Sequence, residues 1–262
     1  MEYPKKYKAI FFDLDDTLED WNVAKKAIKN EFCTFVEKNY NINRKKFFKK
    51  FVEVEYDIVG RSLNPMNYSR YVWLKETFRR LGIRITDTEL RKLERIYWRI
   101  AYKNITPFPD TINTLKKLKI YKKVIVTDSD GDKSDEIKNK KIRLLGIRKY
   151  FNIIITSNMT GKNKPDKKLW KLALKKLRVK PRECIMVGDK PEIDLKPAKE
   201  MGFTTVWIKR GHWASMRKNK KFRFVDFEIK KISELLNIVS GLEKQNLLKF
   251  KSKRTFRDNN TL

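Results

Sequence analysis

Histidine and cysteine are almost missing from this chain, which has one histidine, His212, and two cysteines, Cys33 and Cys184. Two cysteines so far apart, in unrelated surroundings, exclude a disulfide framework and a cysteine zinc site. Cys184 opens the apolar run Cys-Ile-Met-Val and reads as a core residue. His212 stands beside Trp213 in a basic stretch and is given no catalytic role. Long apolar runs are missing too: no stretch of 18 apolar residues occurs, and the N-terminal segment is charged. No membrane-spanning helix or signal peptide is expected, and the protein is expected to be soluble and cytoplasmic. No internal repeat is visible.

Acid is scarce as well. Asp and Glu number 32 against 63 Lys and Arg, a net charge of +31 and a pI near 10.0. Such a field attracts polyanions, anionic membranes and anionic metabolites. The lysines are spread along the whole chain, however, and in helices they alternate with apolar positions. Lys, Asn, Ile, Phe and Tyr are all frequent, as codon usage in an AT-rich genome would produce. A solvated basic surface is favoured over a dedicated nucleic-acid site. With 40% hydrophobic and 12% aromatic residues the chain is expected to fold.

The periodicity divides the chain. From residue 19 to 105 helical spacing dominates, with Asn43 to Val59, Tyr68 to Leu81 and a capping box of Thr86 and Glu89 before Leu90. This predicts an all-helical insert of about four helices. From Thr106 onward helix and strand alternate. Strands are expected at Lys123–Thr127, Ile153–Thr156, Cys184–Val187 and Thr204–Ile208, and helices at 111–118, 134–145, 166–177 and 195–201. The stretch Gly211–Phe224 reads as a loop, followed by a short strand and a helix from Ile229 to Val239. The expected class is α/β, a parallel sheet with helices on both faces and a helical insert after the first strand. Residues 1–18 and 106–242 would form the core domain and 19–105 the insert. The tail 243–262, with six basic and two acidic residues, is expected to be disordered in its last part.

Polar residues end the strands. The run Lys-Ala-Ile-Phe-Phe-Asp-Leu-Asp-Asp-Thr-Leu (8–18) is a buried strand stopping on carboxylates, which are costly there unless something positive meets them. Asp13 and Asp15 can point polar groups toward the C-terminal end, where open α/β sheets bind ligands. The second strand ends in Thr127-Asp128-Ser129, a hydroxyl and amides suited to an anion. Lys164 precedes Pro165, expected in the first turn of a helix, and can reach a phosphate as a point charge. Gly188 and Asp189 end the fourth strand, with Asp194 five residues on. Asp13, Asp15 and Asp189 suit Mg²⁺, which takes a few carboxylates with phosphate oxygens.

Together Asp13-Leu14-Asp15-Asp16-Thr17-Leu18, Thr127, Lys164-Pro165 and Gly188-Asp189 with Asp194 resemble the four motifs of the haloacid dehalogenase superfamily, over residues 8–210. The insert resembles the family's helical cap of the first type, and Val126–Asp130 is similar to that of archaeal glyceraldehyde 3-phosphate phosphatase-like members. The resemblance implies a Rossmann-like core and a Mg²⁺-dependent phosphatase. Asp13 would be the nucleophile and Asp15 the general acid and base, an acid that dehalogenases and phosphonatases lack. Thr127, Lys164 and the amides of Asp128 and Ser129 would hold the phosphate. Asp13, the Asp15 backbone carbonyl and Asp189 would hold the metal, and Asp194 would stand behind them. Trp21, Asn22, Arg61, Asn64 and Tyr68 are the cap residues considered for reading the substrate. A small phosphorylated metabolite is expected, such as glyceraldehyde 3-phosphate or phosphoglycolate. A polynucleotide-end phosphatase, a phosphomutase and a non-catalytic nucleic-acid-binding protein stay open as alternatives. The oligomeric state is not readable.

Overall fold

A computed structural model describes residues 5–217 and 220–258, with side chains through Leu248 apart from that of His212. β1 (Ala9–Phe12) is followed by α1 (Trp21–Ala27), α2 (Cys33–Tyr40), α3 (Arg44–Ile58), α4 (Arg70–Arg80) and α5 (Asp87–Lys103). A π-helical turn, Ile28–Phe32, joins α1 to α2. The chain then alternates through α6 (Thr111–Lys117), β2 (Lys122–Thr127), α7 (Glu136–Leu144), β3 (Ile153–Thr156), α8 (Lys168–Leu177) and β4 (Cys184–Gly188). It ends with α9 (Lys196–Glu200), β5 (Thr204–Ile208), α10 (Gly211–Ser215), β6 (Phe227–Ile229) and α11 (Leu235–Asp258).

The six strands are parallel in the order β3-β2-β1-β4-β5-β6. Side chains alternate along each strand, and the apolar runs therefore feed both faces of the sheet. Ala9, Phe11, Val124, Val126 and Met186 pack with Leu169, Trp170 and Ala173 of α8 and Ala198 of α9. Ile10, Phe12, Ile125, Ile185 and Val187 pack with Leu115 of α6, Ile142 of α7 and Leu235 of α11. A third cluster gathers Phe32, Phe47, Phe51, Trp73, Phe78 and Tyr97 from the helices between β1 and α6. Each such fully buried side chain contributes about 1.5–3 kcal/mol.

Local chemistry moved several expected boundaries. Ser69 caps α4 by accepting from the Tyr71 N–H, so this helix starts after a separate 3₁₀ turn, Pro65–Tyr68. Asp166 accepts from the Lys168 N–H at 2.9 Å, so α8 starts at Lys168 and Pro165 lies ahead of it, not in its first turn. The Thr86–Glu89 capping box is present, with both reciprocal bonds. The basic stretch expected as a loop begins with the short helix α10. The last helix starts at Leu235, because Ile229 belongs to β6, and it carries the tail on to Asp258. The disorder expected for the tail's end reaches residues 259–262, which lie outside the described residues. Among the described residues, no helix is long and apolar enough to cross a membrane.

Candidate active site

β1 sits between β2 and β4, and Phe12 is in register with Ile125 and Val187. Thr127, Asp13 and Asp189 therefore emerge side by side at the C-terminal edge of the sheet. This is the crevice where open α/β sheets take ligands, here at the point where strand order reverses.

Asp13 is 2% exposed, and its N–H donates to the Val187 carbonyl at 2.9 Å. Lys164 Nζ donates to Asp13 Oδ1 at 2.6 Å and to Asp194 Oδ1 at 2.7 Å. The other Asp13 oxygen accepts from the Thr17 hydroxyl at 3.4 Å. Lys164 is itself buried, and its backbone N–H donates to Asp128 Oδ1 at 2.8 Å. Burial disfavours the Lys164 charge, but Asp13, Asp194 and Asp128 outweigh it and hold the ammonium more firmly protonated than usual. Burial pushes the Asp128 carboxyl up to about 6, against the pull of Lys164. Burial likewise pushes Asp16, whose carboxylate lines the same cavity, up to about 6.

Asp194 comes close because Gly188 has no side chain: a Cβ there would lie 2.6 Å from Asp194 Oδ2. That oxygen accepts from the Lys190 N–H at 3.1 Å. Carboxylate oxygens of Asp13, Asp189 and Asp194 lie within 4.8 Å of one another, all buried. Burial raises Asp189 well above the usual carboxylate range, with Asp13, Asp194 and Asp16 adding to it and Lys190 opposing. Asp189 Oδ2 is buried with no hydrogen-bond partner. Crowded buried carboxylates with an unmatched oxygen fit a divalent cation. Asp194, expected behind the metal ligands, belongs to this cluster; the Asp15 carboxylate does not.

Asp15 faces another way. Lys138 Nζ donates to its Oδ2 at 3.0 Å, and Lys141 Nζ donates to its Oδ1. Burial opposes its charge, yet these two ammonium groups hold the carboxyl well below the usual range. Ser129 is not free for an anion as expected. Its N–H donates to Ser157 Oγ at 2.8 Å and its hydroxyl to Asp135 Oδ1 at 2.6 Å. Thr127, Asp128 and Ser129 all line the cavity, Ser129 with its amide and hydroxyl already paired.

Trp21, Asn22, Lys25, Glu55, Tyr68, Arg70 and Trp73 from α1, α3, α4 and the turn before α4 join the lining, with Val59, Ile193 and Trp213, around a cavity of about 80 Å³. Of the insert residues selected from the sequence, Arg61 and Asn64 are not in that lining. Arg61 pairs with Asp57 at the surface, and Asn64 Oδ1 accepts from the Met66 N–H. Lys138, Lys141, Lys190 and Arg70 line the site but were not singled out. Lys138 and Lys141 are each 1% exposed, so the reading of helix lysines as solvated fails for them. The spacing three apart on one helix face was the available signal. The side chain of His212 lies outside the described ones.

The sequence model of the haloacid dehalogenase-like hydrolases matches residues 7–202. Several curated archaeal relatives bear the name glyceraldehyde 3-phosphate phosphatase. The one from Methanocaldococcus jannaschii is 30% identical over 90% of this chain and 99% of its own length. That from Pyrococcus furiosus is 30% identical over 92% of this chain and 95% of its own. A solved phosphatase of the same family from Thermococcus onnurineus superposes with a TM-score of 0.64 at 26% identity, covering 89% of this chain and 98% of that one. The chain belongs to the haloacid dehalogenase-like hydrolases.

Proposed function

We propose that this protein is a Mg²⁺-dependent phosphatase of a small phosphorylated metabolite, with glyceraldehyde 3-phosphate the first substrate to try and phosphoglycolate the second. The observation that carries the reading is the pair Asp13 and Asp15 at the end of β1. Asp13 is buried with Lys164 on one oxygen, and Asp15 borders the same cavity with its side chain 31% exposed. The names of the archaeal relatives support the substrate class. A cavity of about 80 Å³ suits a phosphate on a short carbon chain better than a polynucleotide end.

Asp13 attacks phosphorus and forms an aspartyl-phosphate as the ester P–O bond breaks. Asp15, ionised between Lys138 and Lys141, takes up a proton from solvent on entering the cycle and gives it to the leaving oxygen. It then takes one from water, whose oxygen attacks the phosphorus, releasing phosphate and restoring Asp13. Lys164, the Thr127 hydroxyl and the Asp128 amide take up charge on the phosphoryl oxygens. Asp13 and Asp189, with the Asp15 carbonyl, would hold Mg²⁺, which neutralises phosphate charge when bound; Asp194 steadies Lys164. The helices of residues 19–105 act as a cap over a core of 1–18 and 106–242, keeping bulk water out.

The test is phosphate release from a panel of small esters and 3′- and 5′-phosphorylated oligonucleotides, with and without Mg²⁺. Metal-dependent turnover of a small ester is expected, lost in a folded Asp13→Asn variant. Turnover that survives Asp13→Asn, or none on any ester, overturns the reading.

A further inference from the structure

We infer that Lys138 and Lys141 are positioning residues that hold the Asp15 carboxylate for its proton transfers, and that Asp130 and Arg70 tie this hold to α4. The inference rests on the phosphatase reading above.

The two lysines sit one turn apart on α7 and are both buried. Each takes one oxygen of Asp15, so neither oxygen can turn without losing a charged hydrogen bond. Each lysine has a second carboxylate as well: Asp130 at 2.9 Å from Lys138 and Glu19 at 3.1 Å from Lys141. Burying ammonium groups is costly, and apolar residues of similar volume would pack a helix at least as well. Both ammonium groups favour ionised Asp15, so what they supply to its proton transfers is position, not acidity at the working pH. An acid must lie within hydrogen-bond reach of the proton's destination, and small misplacement costs orders of magnitude in rate.

The connection to α4 is equally specific. The Arg70 guanidinium lies 3.5 Å from Asp130 Oδ1, donates to the Tyr68 carbonyl at 2.9 Å and covers the Trp73 ring at 4.1 Å. Next to Asp130, Gly131 has φ +81°, and a Cβ there would lie 2.1 Å from the backbone nitrogen of Ser69, the α4 cap. Arg70 can reach Asp130 only while α4 is seated on this loop. Seating the helix thus completes the set of charges around Asp15.

Leaving-group dependence separates positioning from mere support. An alkyl ester such as glycerol phosphate needs its leaving oxygen protonated; p-nitrophenyl phosphate does not. In Lys138→Gln and Lys141→Gln, kcat on the alkyl ester should fall about 100-fold, the low end of general-acid contributions, with the aryl ester changed less than about 5-fold. Asp15→Asn should show the same selectivity, and adding Lys138→Gln to it should cost little more. Arg70→Lys should give a smaller loss, about 10-fold, in the same direction, and carries the test if a Gln variant fails to fold by circular dichroism. Equal losses on both esters, or no loss, overturn the inference while the phosphatase reading stands. A wild-type enzyme inactive on both esters overturns the reading and the inference with it.

Discussion

α7 and α8 cover opposite faces of one sheet, and both are rich in lysine, but they use it in opposite ways. On α8, Leu169, Trp170, Ala173, Leu174 and Leu177 face the sheet, while Lys168, Lys171, Lys175 and Lys176 are exposed. That is the ordinary amphipathic stripe. On α7 the pattern is partly inverted: Lys138 and Lys141 are buried and Leu144 is 50% exposed. The difference lies in what each helix covers. α8 lies over apolar strand residues. The start of α7 lies over the carboxylates of Asp15, Glu19 and Asp130, and only cations meet them without a large desolvation cost. Local rules break where a site makes a different demand.

The comparison breaks most readily at Lys138. Lys138→Met leaves Asp130 and Asp15 without this partner and should cost about 3–5 kcal/mol, read from denaturant or thermal unfolding. A cost below about 1 kcal/mol would mean that the α7 lysines are no different from those of α8. A medium effect is expected from pH. Burial raises Asp128 from its ordinary 3.8 to about 6 in the folded chain. The folded state therefore holds more protons than the unfolded state in that window, and stability should fall as pH rises through it. With metal chelated, Asp128→Asn should reduce this slope by its share and leave that of Asp16 and Asp189; an unchanged slope would assign it wholly to those other groups. Least should happen at Lys175→Met on α8, within about 0.5 kcal/mol of wild type by the same unfolding measurement.

The sheet was the most legible part. Ile153–Thr156 and Thr204–Ile208 have the bounds expected from sequence, because a short β-rich apolar run between polar turns has few other uses in a parallel sheet. Helix starts were less legible, since each depends on which nearby side chain takes the first free N–H groups. Ser69 and Asp166 moved two of them by about one half-turn. At the site, Asp13, Thr127 and Asp189 were legible because each sits at or just beyond a strand end and the parallel register brings those ends together, while Lys164 and Asp194 lie further along the connections after β3 and β4. Ser129 could not be judged, because the partner that takes its amide, Ser157, is 28 residues away.

The sequence by itself determined the alternation of strand and helix, the helical character of the insert and the acidic residues at the strand ends. Periodicity and turn chemistry act over a few residues, and a chain carries them wherever it goes. Tertiary structure alone decided which charges meet. Lys138 and Lys141 reach Asp15 across 123 and 126 residues, and Lys164 reaches Asp13 across 151. Whether a lysine is a solvated surface charge or a buried partner depends on the field it meets after folding, and no local pattern encodes that field.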